Sequence, residues 1–488
     1  MKKPDFIKKA VIATAISTCI GYLPANAQTI SLDSQVQYVR VGTTFDLSLL
    51  ISNLTASGVP SLGAYDFLLL FDSNLVSLLG NSLGPALSAN PANSLFGTDA
   101  TMLGQLGIFE VSLESAANLN SAQSNTLPLG SLTFLAQNVG AANFSLSGLA
   151  FADADGNALS PILNGVTVML VDRTSVDEFA QPLSGTLMAN IAFADLTQSC
   201  DHRFIKKLSG NSGNKACLFV GGSYADSKFN TIAVNENSTS YFGGGLVQLK
   251  GGLMLGGGIS AGSFNTNYMN TSSIDDGDRF SFNGVVGWNF DPFVVTGSYT
   301  RTNSDGALWI THANLGGMVS RTPFNVTSTS VMLRASYETQ MNGITVIPSA
   351  SVAAVKTEID DLKETGADVL TVFAQQSSDN STVVYIKVDF SKTHSGSGSA
   401  KVRPHLGLGW QSTSSDEFQI NALFADNLAA TVPDIRAQFD LIDSDMFTIE
   451  PGISIGIRQD TSINFGYKGL FGSNTTQHIG SATLRIVF

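Results

Sequence analysis

Apolar and polar positions alternate over the last stretch of the chain: Gly480, Ala482, Leu484, Ile486 and Phe488 interleave with Ser481, Thr483, Arg485 and Val487. A period of two places the first set on one face of a strand and the more polar set on the other. The same alternation runs through Phe280, Phe282, Gly284, Val286, Trp288 and Phe290, through Val384, Ile386, Val388 and Phe390, and through Val402, Pro404, Leu406, Leu408 and Trp410. Phe447, Ile449, Ile453, Ile455 and Ile457 continue it. About twelve such segments begin near 216, 239, 252, 279, 292, 325, 343, 382, 400, 446, 461 and 479. A membrane strand needs about 9–11 residues, whereas globular strands average about five or six. The segments are long enough, and Gly and charge fall on the face opposite the apolar one. Residues 201–488 are therefore expected to form a twelve-stranded transmembrane β-barrel, with 304–324, 359–381 and 412–445 as long external loops. The strand that ends at Phe488 is expected to close against the first, because an unpaired half-apolar edge is unstable in lipid.

Upstream, shorter runs recur between turn signals: Val36–Val41, Phe45–Ile51, Ala64–Phe71, Gly107–Ser112, Gly130–Ala136, Phe144–Leu149 and Val166–Val171. This spacing predicts an all-β, jelly-roll-like sandwich over 28–172, and about 145 residues suffices for one core. From 173 to 200 the period changes. Val176, Phe179, Leu183, Leu187, Ile191 and Phe193 predict a loosely amphipathic helix interrupted at Pro182 and Gly185. Fully helical, roughly 28 residues would reach about 42 Å, more than the hydrocarbon core of about 30 Å.

Composition narrows the class. Charged residues make up only 13%, but a hydrophobic content of 43% with 30 Phe argues for folded β structure over disorder. A formal net charge of −13 argues against a nucleic-acid partner. Lys2, Lys3, Lys8 and Lys9 precede an apolar stretch from Ala10 to Leu23, and Ala25-Asn26-Ala27 fits the small-residue cleavage rule. Residues 1–27 are thus expected to be a signal peptide, cut between Ala27 and Gln28. After its removal no run of about 20 apolar residues remains to form a membrane helix.

Candidate chemistry is sparse. All five His (His202, His312, His394, His405 and His478) lie beyond 172, so the sandwich holds no imidazole base for a Ser-His-Asp or Cys-His nucleophile. Asp66, Asp72, Glu110 and Glu114 leave paired-carboxylate chemistry as an alternative. The first two are expected to edge or cap strands, the last two to lie on a solvated face. Asp153-Ala154-Asp155-Gly156-Asn157 carries oxygen ligands at calcium-loop spacing on Asp153, Asp155 and Asn157, but Asp-Gly is also a strong hairpin signal and no closing Glu follows. The turn is the favoured reading. No catalytic, cofactor or metal residue is expected. Lys401, Arg403 and His405 fall on the polar face of a barrel strand, and Lys387, Asp389, Glu450, Arg458, Lys468 and Arg485 are expected to pair across neighbouring strands. Cys200 and Cys217, an even pair in an exported chain, read as a disulfide.

A signal peptide, an N-terminal domain, a pore-length helix beginning at Leu183-Ser184-Gly185, and a barrel ending in Leu484-Arg485-Ile486-Val487-Phe488 together resemble the autotransporter family. The resemblance implies that the barrel inserts in the outer membrane and exports the domain ahead of it to the cell surface. It also implies that Leu484, Ile486 and Phe488 match the apolar positions read by the barrel-assembly machinery. In that topology Cys200 and Cys217 both lie toward the periplasm, where a bridge would tie the helix to the barrel. Some relatives cut themselves at paired asparagines in the helix. Met188-Ala189-Asn190-Ile191 lacks the pair, which implies a tethered passenger. Within that passenger, Val41-Gly42-Thr43-Thr44-Phe45-Asp46-Leu47, Gly63-Ala64-Tyr65-Asp66-Phe67 and Gly130-Ser131-Leu132-Thr133-Phe134-Leu135-Ala136 resemble a cohesin domain, a jelly-roll module that binds dockerins and is related to carbohydrate-binding modules. The expected partners are therefore outer-membrane lipid, the assembly machinery, and an extracellular protein module or glycan. Two alternatives stand beside this reading: an outer-membrane channel with a periplasmic accessory domain, and a glycosidase-like passenger.

Overall fold

The computed structural model describes residues 27–54, 60–196, 215–269, 271–395, 401–415, 417–458 and 460–488. Ala25 and Cys200 lie outside the described residues. The chain divides into two compact units between Asp172 and Arg173.

The first unit is a β-sandwich with one short helix, α1 (Ala116–Ala122), and eleven strands. These are β1 (Thr29–Ser34), β2 (Tyr38–Arg40), β3 (Thr44–Ser52), β4 (Leu62–Leu70), β5 (Val76–Asn81), β6 (Ser94–Asp99), β7 (Gln105–Ser112), β8 (Thr126–Ala136), β9 (Gly140–Asp153), β10 (Ile162–Asn164) and β11 (Val166–Val171). One sheet has the order β10-β1-β3-β8-β5 and the other β2-β11-β9-β4-β7-β6. Pairing is antiparallel except at β1–β10 and β2–β11. Alternation explains the core: Leu47, Leu49 and Ile51 on β3 and Tyr65, Phe67 and Leu69 on β4 are buried while their neighbours are not. Phe134 sits among Phe71 and Phe144, with ring centroids 5.1 and 4.9 Å away. Each such side chain contributes about 1.5–3 kcal/mol by leaving water. β1, β5, β6 and β10 were not among the expected strands. β5 buries only its first residue and β6 none, so neither carries the alternation that marks a half-buried strand.

The second unit is a closed barrel of twelve staves. They are β12 (Lys215–Phe229), β13 (Val234–Gln248), β14 (Leu253–Tyr268), β15 (Ser272–Asn289), β16 (Phe293–His312), β17 (Met318–Tyr337), β18 (Ile344–Ile359), β19 (Ser377–Ser391), β20 (Lys401–Ser415), β21 (Asp445–Gly456), β22 (Thr461–Phe471) and β23 (Thr475–Val487). Each pairs antiparallel with the next, and β23 closes on β12 from Cys217 opposite Val487 to Phe229 opposite Thr475. Closure leaves no sheet edge for lipid. The expected faces hold: Phe280, Phe282, Val286 and Trp288 are exposed outward, while Arg279, Ser281, Asn283 and Val285 are buried inward. All three Trp face outward. No helix among the described residues is long and apolar enough to cross a membrane.

Short turns join the staves at one end, and long connections cluster at the other, which marks the external side. Two of the expected loops carry structure. Within 360–376 and 416–444, strands Leu362–Lys363, Val372–Ala374, Phe418–Phe424 and Ile435–Phe439 pair into a four-stranded external sheet. The expected loop 304–324 is not a loop. β16 and β17 have 20 residues each and pair continuously from Phe293–Tyr337 to His312–Met318. At about 3.4 Å per residue they reach some 65 Å, so the hairpin outruns any bilayer even when tilted. Its outer part loses the lipid-facing apolar pattern, which is why the sequence there reads as loop.

Candidate functional site

The barrel lumen is occupied. Helix α2 (Gln181–Leu196) runs through it, preceded by a 3-10 turn at Asp177–Ala180. The helix differs from expectation in three ways. It begins at Gln181 rather than 173. Pro182 and Gly185 do not interrupt it, since a proline in the first turn gives up an N–H that has no helical partner. It also lacks a broad solvated face, because Leu183, Leu187, Gln181, Thr186 and Asn190 are all buried and only the side carrying Ala189 and Ala192 borders a cavity.

Its polar side chains therefore bond to the wall. The Gln181 amide donates to Ser272 and accepts from the Thr266 hydroxyl at 2.6 Å. Thr186 Oγ1 bonds Ser304 Oγ at 2.8 Å, and Asn190 Nδ2 donates to the Ser328 carbonyl at 2.8 Å. These partners lie on β14 to β17, so the helix rests against that side. Where it would touch β13 and β15, Gly185 leaves room for an ion pair between Glu236 and Arg279, at 2.8 and 3.2 Å. A Cβ on residue 185 would overlap the Glu236 carboxylate. Arg279 in turn donates to Ser304 at 3.0 Å and lies 4.3 Å over the Phe264 ring. The glycine that suggested a break is a notch for a buried charge pair.

The lower end of α2 meets a charged belt. Asp195 accepts from Arg334 at 2.7 Å and lies 3.5 Å from Lys468. Lys468 reaches Glu450 at 3.2 Å, and Lys387 reaches Glu450 at 2.7 Å and Asp389 at 3.4 Å. The Tyr385 hydroxyl donates to Glu450 at 3.0 Å. The expected cross-strand pairing thus forms among Lys387, Asp389, Glu450 and Lys468. Arg458 is a correction: it lies exposed in the turn between β21 and β22, beyond the last lumen position. Arg403 donates to Ser391 at 2.6 Å, and Arg403, His405 and Arg485 line a cavity of about 410 Å³ between α2 and the barrel wall.

At the external end, Arg173 is 2.5 Å from Glu364 and also pairs with Glu178. It donates to the Leu370 carbonyl at 3.1 Å. Glu364 accepts from Ser320 Oγ at 2.6 Å and from the Val372 N–H at 3.1 Å, and His312 Nε2 lies 3.2 Å away. Its carboxyl is held below the usual range against the opposing effect of burial, by the His312 bond, the Arg173 charge and the Ser320 bond. Ser320, His312 and Glu364 are the residue types of a hydrolytic triad, yet one imidazole nitrogen faces both partners. A triad needs the second nitrogen on the acid, so the group acts as a clasp.

In the sandwich the four candidate carboxylates do not converge. Tyr65 and Glu110 sit opposite each other and point inward, so Asp66 points outward. Glu110 is not on a solvated face: it is fully buried, accepting from Tyr65 Oη at 3.0 Å and from the N–H groups of Ala86 and Leu87 at 2.9 Å. Burial beside this carboxylate drives the Tyr65 hydroxyl far above its usual pKa. Glu114 binds Asn93 and Asn118, and Asp72 caps the turn after β4 through the Asn74 N–H. Asp153 accepts from the N–H groups of Asp155 and Asn157 and from the Asn157 amide, the bonding of a turn. Among the described residues no cluster of three His, Cys, Asp or Glu is arranged to hold a metal. On the outer face of β6 and β7, Leu95 lies opposite Val111 with Phe109 beside it, and Leu113 comes next along the chain; all are exposed.

Sequence reasoning missed Glu236, Arg173, Glu364 and Asp195 as site residues. Their one signal was parity or position: a lone charge on the lumen-facing phase of a strand or in the plug segment.

Residues 218–468 match the family described as the autotransporter beta-domain, more than half of the chain. The translocator domain of autotransporter NalP from Neisseria meningitidis is similar over 62% of this chain and 97% of its own, at 10% identity and a TM-score of 0.45. The beta domain of the Bordetella autotransporter BrkA is similar over 57% and 100%, at 12% identity and a TM-score of 0.44. A cohesin module from a Clostridium perfringens family 33 glycoside hydrolase is similar over 30% and 99%, at 15% identity and a TM-score of 0.24. Comparison with curated proteins gives no match. The family match agrees with a closed twelve-stave barrel threaded by a helix: this chain belongs to the autotransporter family and resides in the outer membrane.

Proposed function

We propose that the barrel exports residues 28–172 to the cell surface and anchors them there as a binding module. The observation that carries this reading is the direction of α2. Gln181 bonds to the external ends of β14 and β15, and Asp195 bonds near the short-turn end, so the chain ahead of the helix leaves by the external mouth. On this reading residues 1–27 are removed before Gln28, 173–200 form the linker and 201–488 the translocator. Leu484, Ile486 and Phe488 serve as the signal for the assembly machinery, and a Cys200–Cys217 bridge fixes the plug on the periplasmic side.

Recognition by the sandwich is supported by the exposed apolar side chains Leu95, Phe109, Val111 and Leu113 on one sheet face. A mainly aliphatic patch with Phe109 as its one aromatic ring suits a protein module better than a glycan. Antibody against residues 28–172 is expected to label intact cells. Labelling only after the outer membrane is permeabilised would favour a periplasmic accessory domain and overturn the display reading. Capture of a glycan array by the surface-displayed domain, unaffected by Phe109→Ser, would redirect the partner from protein to sugar.

A further inference from the structure

We propose that Arg301, Thr329 and Lys356 form a site on the outer wall of the barrel for the phosphate of an outer-leaflet lipid. The inference uses residence in the outer membrane and is independent of the export reading. On three adjacent staves the lipid-facing apolar run ends at the same row. On β16 the outward residues from the short-turn end are Phe293, Val295, Gly297 and Tyr299, and the next is Arg301. On β17 they are Tyr337, Ala335, Leu333 and Val331, followed by Thr329. On β18 they include Pro348, Ala350, Val352 and Ala354, followed by Lys356. Tyr299, Val331 and Ala354 pair in one row, and Arg301, Thr329 and Lys356 in the next. On these staves the first charges above the apolar band are therefore two cations, on strands about 10 Å apart.

Arg301 is oriented for an anion. Its Nε donates to Asn303 Oδ1 at 3.2 Å, and the same oxygen accepts from Thr327 Oγ1 at 3.1 Å. That contact sets the plane of the guanidinium and leaves both Nη groups without a partner among the described residues. Two Nη groups match two oxygens of one phosphate, a fork that an ammonium does not offer. Lys356 is exposed and directs one proton to Glu358 at 2.6 Å, which leaves two for a second acceptor. The surroundings favour a lipid over a free ion. Arg301 lies opposite Phe282 on β15, whose ring packs against Tyr299 with centroids 5.9 Å apart, and both rings are exposed on the lipid-facing wall. An acyl chain along these rings places its headgroup at the guanidinium, whose own stem also lies against apolar surface. Two rows higher the field changes sign. Asp278 and Asp305 stand opposite each other there, both exposed, and repel an anion as they repel one another. A phosphate is thus confined to the level of Arg301 and Lys356, directly above the apolar band.

The test uses the full chain, purified from outer membranes in dodecyl maltoside and washed free of lipid. Diphosphoryl lipid A is the probe, and bound copies are counted by native mass spectrometry. Wild type is expected to bind one copy saturably. Arg301→Gln and Lys356→Gln are each expected to weaken binding about tenfold, with Arg301→Lys recovering only part of the loss. Asn303→Ala keeps both charges but frees the guanidinium, and is expected to weaken binding about threefold. Arg321→Gln removes an outward cation higher on the same hairpin, one that lies 5.7 Å over the Trp309 ring, and is expected to change nothing. Compact migration on unheated gels identifies the folded variants; where Arg301→Gln does not assemble, Lys356→Gln decides by the same titration. Wild-type affinity in the folded Arg301 and Lys356 variants would overturn the site. So would an equal loss in Arg321→Gln, which would mean general attraction to a basic surface. Displacement of lipid A by millimolar inorganic phosphate, or undiminished binding of lipid A stripped of both phosphates, would overturn a phosphorylated lipid as the occupant.

Discussion

Gly185→Ala tests the seat of α2 with a single carbon. The Cβ it adds would overlap the Glu236 carboxylate. Glu236 can withdraw only by loosening its ion pair: Arg279 holds both its oxygens, and Arg279 is fixed by Ser304 and by the Phe264 ring. The helix has little room either, since retreat from β13 presses it into the wall that Thr186 and Asn190 bond. Overpacking that leaves the pair intact costs about 1–3 kcal/mol, and breaking a buried pair costs about 3–5 kcal/mol. Both partners are under a tenth exposed, so the cost reaches the lower end of the second range, and we expect a loss of about 3 kcal/mol. Barrel unfolding is governed by rate, so the assay is the half-life of the compact form at fixed temperature in detergent, expected to fall about a hundredfold. Glu236→Asp, combined with Gly185→Ala, withdraws the carboxylate by one methylene and is expected to recover much of the loss. An unchanged half-life in Gly185→Ala would refute the notch, and an additive double variant would refute its cause.

Residues 28–172 expressed alone are expected to unfold cooperatively in urea, and Glu110→Ala to cost about 2–4 kcal/mol by stranding the Tyr65 hydroxyl and the Ala86 and Leu87 N–H groups; equal midpoints would show that this buried cluster adds nothing. The Glu364 clasp has a depressed carboxyl, so its contribution is complete above the unfolded value and is lost as pH falls through the lower folded one. Pore sealing should therefore hold at pH 7 and weaken below about pH 4, and sealing that persists unchanged at pH 3 would contradict it. Cys200 and Cys217 are expected to label only after reduction, closing a loop of about 18 residues worth about 3 kcal/mol; free thiols in the denatured mature chain rule the bridge out. Deleting Phe488 is expected to block membrane assembly without disturbing the sandwich, and normal display by the truncated chain would count against the assembly signal.

The barrel was legible because its two environments alternate residue by residue. Phe280, Phe282 and Trp288 against Arg279, Ser281 and Asn283 report lipid and lumen directly, and no later packing changes that parity. Strand starts were less legible. β13, β15, β17, β19 and β23 begin four to seven residues before the alternation does, where the staves leave the bilayer and the outward face meets water instead of lipid. The edge strands β5 and β6 hid because they bury little on either face.

By itself, then, the sequence determined the class of each segment: a sandwich, a linker helix and a membrane barrel, each read from local periodicity. Only the tertiary structure decided what the isolated polar residues do. Glu110 read as solvated and is a core acceptor, and Gly185 read as a break and is a notch for Glu236. Arg173 and Glu364, far apart in sequence, close on each other at the mouth. Periodicity records which face a residue takes, but the partner of a buried charge is set by strands that meet only after the barrel closes, and no local pattern carries that information.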